Sequence, residues 1–367
     1  APADASPRFV ENAESYMAET TRVETASGPA HYHSVNLVGL RPGTRYAYRV
    51  GSGVVWSEWF HFRTAHDGPE PFSFIYFGDA QNNILSLWSR TLRSAHADAP
   101  RAAFMIHAGD LVNRADRDVE WGEWFEAGDW IPATVPSIPT PGNHEYSKDA
   151  TGTRSLSVLW RPHFRLPPGD IEGLEETVYA LDYQGLRIIS LNSNERLEEQ
   201  ARWLDRTLDS RPGRWTVVTF HHPVFSTKGG RDNADLRNLW KPLFDRHQVD
   251  LVLTGHDHTY GRGRNLPEGV KRVQPLGGTV YVVSVSGPKM YSLADEPWWN
   301  RAAENTQLYQ IISIDGDTLR YEARTAVGEL YDAFDLAKRD GLPNAMVDRA
   351  PADIPERRYS NTLGADD

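Results

Sequence analysis

Five short apolar runs in this sequence each end on a small polar cluster, and the clusters hold residue types that bind metal ions. FSFIYF leads to Gly78-Asp79, AAFMIHA to Gly109-Asp110, and VPSIPTP to Gly142-Asn143-His144-Glu145. WTVVTF leads to His221-His222-Pro223, and VDLVLT to Gly255-His256-Asp257-His258. In α/β sheets ligands bind beyond the carboxyl ends of the strands, so five such strands would deliver their clusters to one edge. The glycines ahead of Asp79, Asp110, Asn143 and His256 let the backbone turn sharply off each strand. Three histidines, two carboxylates and one amide make a mixed nitrogen and oxygen donor set. Such a set suits zinc, iron, manganese, cobalt or nickel better than calcium or magnesium, whose shells are all oxygen. Six donors are too many for one open catalytic ion and suit two ions sharing a carboxylate. The chain has no cysteine, which excludes thiolate ligands, thiol catalysis and disulfides.

Taken singly, each residue also has an ordinary reading. Asp79 and Asp110 could cap a turn or a helix start. Of His221 and His222 only one need bind metal, and His107 reads as a core histidine. Asp257, between two candidate ligands, is expected to point the other way and orient a neighbouring histidine. Glu145 reads equally as a support behind the ligands or as a solvated loop carboxylate. Arg262, Lys228 and Arg231 are candidate phosphate contacts that could as well be surface cations. Trp298-Trp299 reads as packing between domains, with substrate stacking as the sharper alternative.

The elements that must position these residues are legible in outline. Residues 31–64 alternate with the strand period through His33, Val35 and Leu37, then Tyr46, Tyr48 and Val50, with a third strand from Trp56 to Phe62. Leu40-Arg41-Pro42-Gly43-Thr44 supplies the turn between the first two. After the linker at 66–71, apolar strand runs alternate with helical patterns at Trp88 to Ala95, Gln200 to Leu208 and Leu236 to Arg246, the signature of an α/β domain. Strands return at Thr279–Val285, Leu308–Ile314 and Thr318–Ala323. From Gly341 to Asp367 the chain is rich in Pro, Arg and Asp and is expected to be an irregular surface tail.

The order D…GD…GNH…H…GHxH resembles the calcineurin-like metallophosphoesterase superfamily, and the flanking sequence is most similar to its purple acid phosphatase branch. HSVNLVGLRPGTRYAYRVG followed by WSEWFHFRT resembles the fibronectin type III module at the front of that branch, which 66 residues would accommodate only in part. The resemblance implies a four-layer αββα sandwich over 72–340, preceded by a partial β module over 1–66 and followed by the tail, 341–367. It implies two metal ions, with Asp79 and His258 on the first, Asp110 bridging, and Asn143, His221 and His256 on the second. His144 would face the phosphate, with His222 and Arg262 as further substrate contacts. Two departures stand out: the branch's metal-binding Tyr three residues after the bridging Asp is Asn113 here, and the His that other branches place two residues after the first Asp is Gln81. Gln81, Asn113 or water would complete the first site.

The implied activity is hydrolysis of small-molecule phosphate monoesters, as in the purple acid phosphatase branch, by divalent zinc, manganese or iron, with ferric iron disfavoured. A phosphodiesterase, or a secreted binding protein with a vestigial metal site, are the competing readings. The net charge of −11 argues against a surface built for nucleic acid or anionic lipid. No apolar run approaches the roughly 20 residues of a membrane helix. The opening Ala1-Pro2-Ala3-Asp4-Ala5 is compatible with a processed end, and a secreted or periplasmic location is expected.

Overall fold

The computed structural model describes residues 1–148, 151–210, 213–264, 278–295, 298–340 and 342–358. Four strands come first: β1 (Glu19–Thr25), β2 (Gly28–Ser34), β3 (Arg45–Tyr48) and β4 (Phe60–Arg63). They pair as two separate two-stranded sheets, β1 with β2 and β3 with β4. The strand expected from His33 to Leu37 lies earlier and stops at Ser34, leaving Val35, Leu37 and Val38 exposed. A lone two-stranded pair is marginal in water, and both pairs lean on the rest of the chain. Tyr32 Oη donates to Asp118 at 3.2 Å, its ring meets His163 edge-on at 4.9 Å, and Tyr48 Oη donates to the Ala133 carbonyl at 2.6 Å.

The larger unit begins with β5 (Phe72–Phe77), α1 (Ser89–Asp98), β6 (Met105–His107), α2 (Asp118–Gly128) and β7 (Ser137–Pro139). A small hairpin, β8 (Tyr146–Lys148) and β9 (Arg154–Leu156), and a single turn, α3 (Trp160–His163), follow. Next come β10 (Tyr179–Tyr183), β11 (Leu186–Ser190), α4 (Leu197–Asp209), β12 (Trp215–Thr219), α5 (Ala234–Leu239), α6 (Lys241–His247) and β13 (Leu251–Thr254). The described chain ends with β14 (Tyr260–Arg264), β15 (Val280–Val283), β16 (Arg301–Ala303), β17 (Leu308–Asp315), β18 (Thr318–Thr325), β19 (Leu330–Arg339) and β20 (Leu342–Asp348).

Two mixed seven-stranded sheets result, ordered β20-β19-β18-β17-β5-β6-β7 and β10-β11-β12-β13-β15-β14-β16. β5, β6 and β7 run parallel in one sheet, and β11, β12, β13 and β15 run parallel in the other. Strand alternation sorts the side chains into layers. Phe74, Tyr76, Ile106, Ile188, Val217, Leu251 and Val282 fill the space between the sheets. The residues next to them, Ile75, Phe77 and Met105, turn outward onto Leu92, Trp121 and Trp124 of α1 and α2. Ile189, Val218 and Val252 turn outward onto Trp203, Leu204 and Phe244 of α4 and α6. The architecture is thus the expected four-layer αββα sandwich. Strands covered on both faces also explain why they read as unbroken apolar runs.

Three expectations need correction. The helical pattern from Leu236 to Arg246 is two helices, because Pro242 near the start of α6 has no N–H for the preceding turn. The tail expected over 341–367 is a strand at Leu342–Asp348, paired antiparallel with β19. Pro343 fits this strand because β20 is the edge of its sheet, where a missing N–H can face solvent. Residues 341 and 359–367 lie outside the described chain. Trp298 does not pack between domains. Its indole lies against Gly261 and Gly263 of β14, where an added Cβ would sit 2.6 Å from the ring at Gly263, and its Nε1 donates to the Ser226 carbonyl at 2.8 Å.

His107 is buried at the end of β6, stacked on Phe77 at 5.4 Å and edge-on to Trp124 at 5.2 Å, with no hydrogen-bond partner on either ring nitrogen. Burial pulls it from its ordinary 6.5 down to about 3. Below pH 6.5 the unfolded chain therefore takes up a proton that the folded chain refuses until near pH 3, so stability falls with pH across that window. At pH 5 the loss is about 2 kcal/mol at 1.36 kcal/mol per pH unit. Denaturant titrations at pH 7 and pH 5 should show His107→Phe losing about 2 kcal/mol less than the unaltered chain. An equal loss in both proteins would mean that His107 is not held neutral.

Candidate metal centre

The carboxyl ends of β5, β6 and β7 and of β12 and β13 meet at one edge of the sandwich, where the two sheets are stitched together. Asp79 forms a parallel bridge to Val285, and its carbonyl accepts the N–H groups of Ser286 and Gly287 at 3.1 and 2.6 Å. This join brings the cluster from one sheet to that of the other. Asp79, Asp110 and His258 form one group of converging donor atoms, and His221, His222 and His256 form a second. Asn143 joins the second, its Oδ1 lying 3.2 Å from His221 Nε2.

Each carboxylate divides its work. Asp79 Oδ1 accepts the His256 backbone N–H at 2.6 Å, and Asp110 Oδ1 accepts that of His144 at 2.9 Å. In each case one oxygen ties its own loop to the loop bearing the next donors. The other oxygen faces the cluster: Asp110 Oδ2 lies 3.2 Å from His221 Nε2 and 3.1 Å from Gln81 Nε2, and Asp79 Oδ2 lies 3.2 Å from His258 Nε2.

The imidazoles are oriented from behind. His221 Nδ1 donates to the Ala108 carbonyl at 2.9 Å and His258 Nδ1 to the Lys289 carbonyl at 3.0 Å. A carbonyl only accepts, so the proton of each neutral ring is on Nδ1 and the Nε2 lone pair points inward. His221 Nε2 then faces His256 Nδ1 at 3.1 Å and Asn143 Oδ1 at 3.2 Å, a crowd of acceptors. Asp79 Oδ2 and Gln81 Oε1 are buried without a hydrogen-bond partner. Such a surplus of buried acceptors is costly unless something positive is shared among them, so these residues fit a pair of cations.

The electrostatics carry the same mark. Burial pushes the Asp79 carboxyl up, with the charge of Asp110 adding to it. Burial works the same way on Asp110, but His221 and His144 outweigh it and hold that group low. Burial pulls His221 down, yet Asp110 and Asp79 together take it up to about 9. His258 is drawn down to about 3 by burial and by Lys289, and His222 to about 3 by burial and by His221.

The backbone is bent to suit. Asp110, His256 and His258 have φ of 51°, 74° and 50°, in the left-handed region that non-glycine residues avoid at a cost of about 1–3 kcal/mol each. Two glycines serve by having no side chain. A Cβ on Gly142 would lie 2.2 Å from Asp110 Oδ1, and one on Gly255 would lie 2.2 Å from Asp79 Oδ1.

The other candidates fall in different places. His144 is partly exposed, with Nδ1 donating to the Asn113 carbonyl at 2.6 Å and Nε2 3.9 Å from Asp110 Oδ2. His222 is held by Ser193 Oγ at 2.8 Å beside His256. Gln81 is buried between Asp110 and His258, its Nε2 3.1 Å from each. Asn113 uses its backbone N–H on Glu120 and lines a cleft of about 270 Å³ with His144, Tyr146 and Arg154. Arg262 is corrected: it is buried between the sheets, paired with Asp332 at 2.6 Å and Asp348 at 3.1 Å, and has no path to a substrate. Its place on β14 turns the side chain inward, where only paired charge is tolerated.

Sequence reasoning undervalued some residues. Glu145 is fully buried and accepts the N–H groups of Asp110, Leu111 and Gly142 at 2.8, 2.9 and 2.7 Å, locking the loops after β6 and β7 together. Asp257 points away as expected but braces Ser226, Thr227 and Arg231, at 2.6, 2.6 and 3.0 Å, and orients no histidine. A sixth block went unread: LRIIS runs into Leu191-Asn192-Ser193-Asn194, the same pattern of strand and polar cluster. Its residues hold His222 and the Pro141 carbonyl.

Gly255→Ala should cost about 1–3 kcal/mol of stability by overpacking and should lower the metal content of the purified protein. Unfolding midpoints and elemental analysis would read both, and an unchanged metal stoichiometry would refute the contact between Gly255 and Asp79.

The family model for the calcineurin-like phosphoesterase matches residues 72–260, more than half of the chain, and that for the purple acid phosphatase N-terminal domain matches 2–64. An uncharacterized protein of Mycobacterium tuberculosis is 30% identical over 291 residues, covering 69% of this chain and 53% of its own length. Purple acid phosphatase 21 of Arabidopsis thaliana is 27% identical over 272 residues, covering 71% and 59%. The chain thus spans between half and three-fifths of the length of these relatives. Among solved structures, the purple acid phosphatase PPD1 from yellow lupin superposes with a TM-score of 0.75 at 20% identity, over 88% of this chain and 67% of that one, which speaks to the fold. A mixed αββα sandwich with paired donor groups at its edge, matched over these two stretches, belongs to the calcineurin-like phosphoesterase family, with a purple acid phosphatase N-terminal domain in front.

Proposed function

We propose that the chain hydrolyses phosphate monoesters with two metal ions held at the edge of the sandwich. The observation that carries this reading is the pair of donor groups with Asp110 Oδ2 between them, 3.2 Å from His221 on one side and 3.1 Å from Gln81, a neighbour of His258, on the other. Asp79, His258 and Gln81 would hold one ion, Asn143, His221 and His256 the other, and Asp110 both. When bound, such a pair supplies positive charge against the phosphate oxygens and a water acidified enough to attack phosphorus.

The chain's own residues then have separate tasks. His144 has Nδ1 committed to the Asn113 carbonyl, so Nε2, on the open side, is the atom that passes a proton to a leaving oxygen. His222, pinned by Ser193, lies against His256 on the second side of the centre. Glu145 and the backbone bonds of Asp79 and Asp110 keep the donors from relaxing apart, which is the preorganisation that makes charge stabilisation effective. Asp110→Asn and His256→Ala should each lower kcat/KM for p-nitrophenyl phosphate by several orders of magnitude with the fold kept. His144→Ala should lower kcat with metal content unchanged. Near-normal turnover in Asp110→Asn at saturating metal would sink the reading, and faster cleavage of bis(p-nitrophenyl) phosphate than of the monoester would move it to a diesterase.

The first ion would meet a neutral amide in place of a phenolate. Gln81 has a buried Oε1 with no partner, and turning the amide over brings that oxygen to Asp110 and His258. Tyr146, the nearest substitute for a phenolate after the GNHE block, donates to Glu195 and accepts from Asn192 Nδ2 at 2.7 Å. Burial and Glu195 raise its phenol well above the ordinary range, keeping it protonated. Divalent zinc, manganese or ferrous iron is therefore favoured over ferric iron. The protein should lack a visible charge-transfer band and keep its activity in mild reductant. A band that disappears in Tyr146→Phe would overturn the assignment of Gln81.

A further inference from the structure

The loops after β12 and β15 gather three cations around one aromatic ring at the rim of this centre. Tyr291 meets His258 edge-on, centroids 4.7 Å apart at 63°. Its N–H donates to the His258 carbonyl at 3.1 Å, while His258 Nδ1 donates to the Lys289 carbonyl at 3.0 Å. Two bonds of opposite sense thus fix residues 289–291 to the turn that carries His258. Over the ring lie Lys228 Nζ at 3.7 Å, Arg231 Cζ at 5.2 Å and Lys289 Nζ at 5.7 Å from its centroid. A bridge between Lys228 and Leu293, with the Ala294 N–H on the Thr227 carbonyl at 2.8 Å, closes one loop on the other.

Arg231 is neutralised by Asp257 at 3.0 Å. The lysines are not: among the described residues the ammonium groups in ion pairs are those of Lys241 and Lys338. Two unpaired ammonium groups held over one ring repel each other. A cation–π contact returns only about 0.5–1 kcal/mol at a partly exposed site, so the ring does not account for the arrangement. An anion shared by the two would offset that repulsion. The Tyr291 centroid lies 3.7 and 5.7 Å from the two ammonium groups and 4.7 Å from the His258 ring, so both are within about a screening length of 0.1 M salt, roughly 10 Å, of that ring, and charge bound here is felt at the centre.

We propose that Lys228 and Lys289, with Arg231 and Tyr291 as their frame, form a subsite for a second anionic group of the substrate. The preferred substrates are then phosphate esters that carry another phosphate or carboxylate beyond the scissile phosphoryl group, as a sugar bisphosphate does. Lysines are point charges on flexible stems, so the subsite selects for charge and tolerates differences in shape. The proposal rests on the reading of the centre as a phosphoesterase, but its test does not require turnover.

Glucose 1,6-bisphosphate and glucose 6-phosphate differ by one phosphate. Their affinities for the metal-loaded chain are compared by KM where they turn over and by calorimetric Kd where they do not. The bisphosphate should bind at least tenfold more tightly in 50 mM salt, and 500 mM salt should erase most of that advantage. Lys228→Gln/Lys289→Gln should reduce it below threefold while glucose 6-phosphate stays within twofold. Equal affinities in the unaltered chain, an advantage that ignores salt, or equal losses for both ligands in the variant would each overturn the subsite. Tighter bisphosphate binding without hydrolysis of either would leave the subsite standing and remove the phosphoesterase reading.

Discussion

The structure turns on a surplus of buried acceptors at one point. Asp79 and Asp110 are 0% and 1% exposed, His221 Nε2 and His258 Nε2 face inward with lone pairs, and Asn143 and Gln81 add amides to the same crowd. Among the described residues no Lys or Arg side chain pairs with these carboxylates; only histidines do. Held without cations, the cluster can relieve itself only by taking protons, which is why burial pushes Asp79 up while Asp110 and Asp79 hold His221 up to about 9. With cations bound, these inward atoms would have partners. The edge of the sandwich is thus an electrostatic debt that folding alone leaves open.

Folding can carry that debt because the rest of the edge is tightly determined. The carboxylates are clamped by backbone N–H groups of neighbouring loops, and Glu145 gathers the loops after β6 and β7. Left-handed backbone at Asp110, His256 and His258 occurs where hydrogen bonds to Glu145, Asp79 and the Lys289 carbonyl hold these loops. Glycines at 142 and 255 let a carboxylate from one strand's loop approach the backbone of another's. The apolar layers behind, with Trp121, Trp124 and Trp215 fully buried, supply the rigidity against which this strain is held.

Charge buried elsewhere is handled in the opposite way. Arg262 meets Asp332 at 2.6 Å, and the same carboxylate accepts from Tyr260 at 2.7 Å, so that network between the sheets closes on itself. Asp250 likewise takes Lys338 and Asn344, tying β19 and β20 to the loop before β13. The contrast separates scaffold from centre: scaffold charges are paired within the chain, whereas those at the strand ends are arranged for something that comes from outside.

Sequence by itself determined the parts of this protein that depend on local pattern. Apolar runs ending in Gly-Asp, Gly-Asn-His or Gly-His-x-His are short-range facts that place donors at the ends of strands, although bringing the ends of two sheets together took the tertiary join at Asp79 and Val285. Where long-range pairing decides, the sequence was silent or misleading. β20 looked like tail because the stretch from 341 on is rich in Pro, Arg and Asp, and its edge position is what accommodates Pro343. α2 carries Trp121, Trp124 and Gly122 without a clean apolar stripe and is secured by the aromatic layer it joins. Arg262 sits two residues after Tyr260 in a strand near the ligands, and its role depended on which way that strand faced. The convergence of Lys228, Arg231 and Lys289 on Tyr291 was equally out of reach, because those residues come from two loops about sixty positions apart. Residue type and local spacing say what a side chain can do. Which partner it meets depends on strand order and loop closure, and these exist only once the chain has folded.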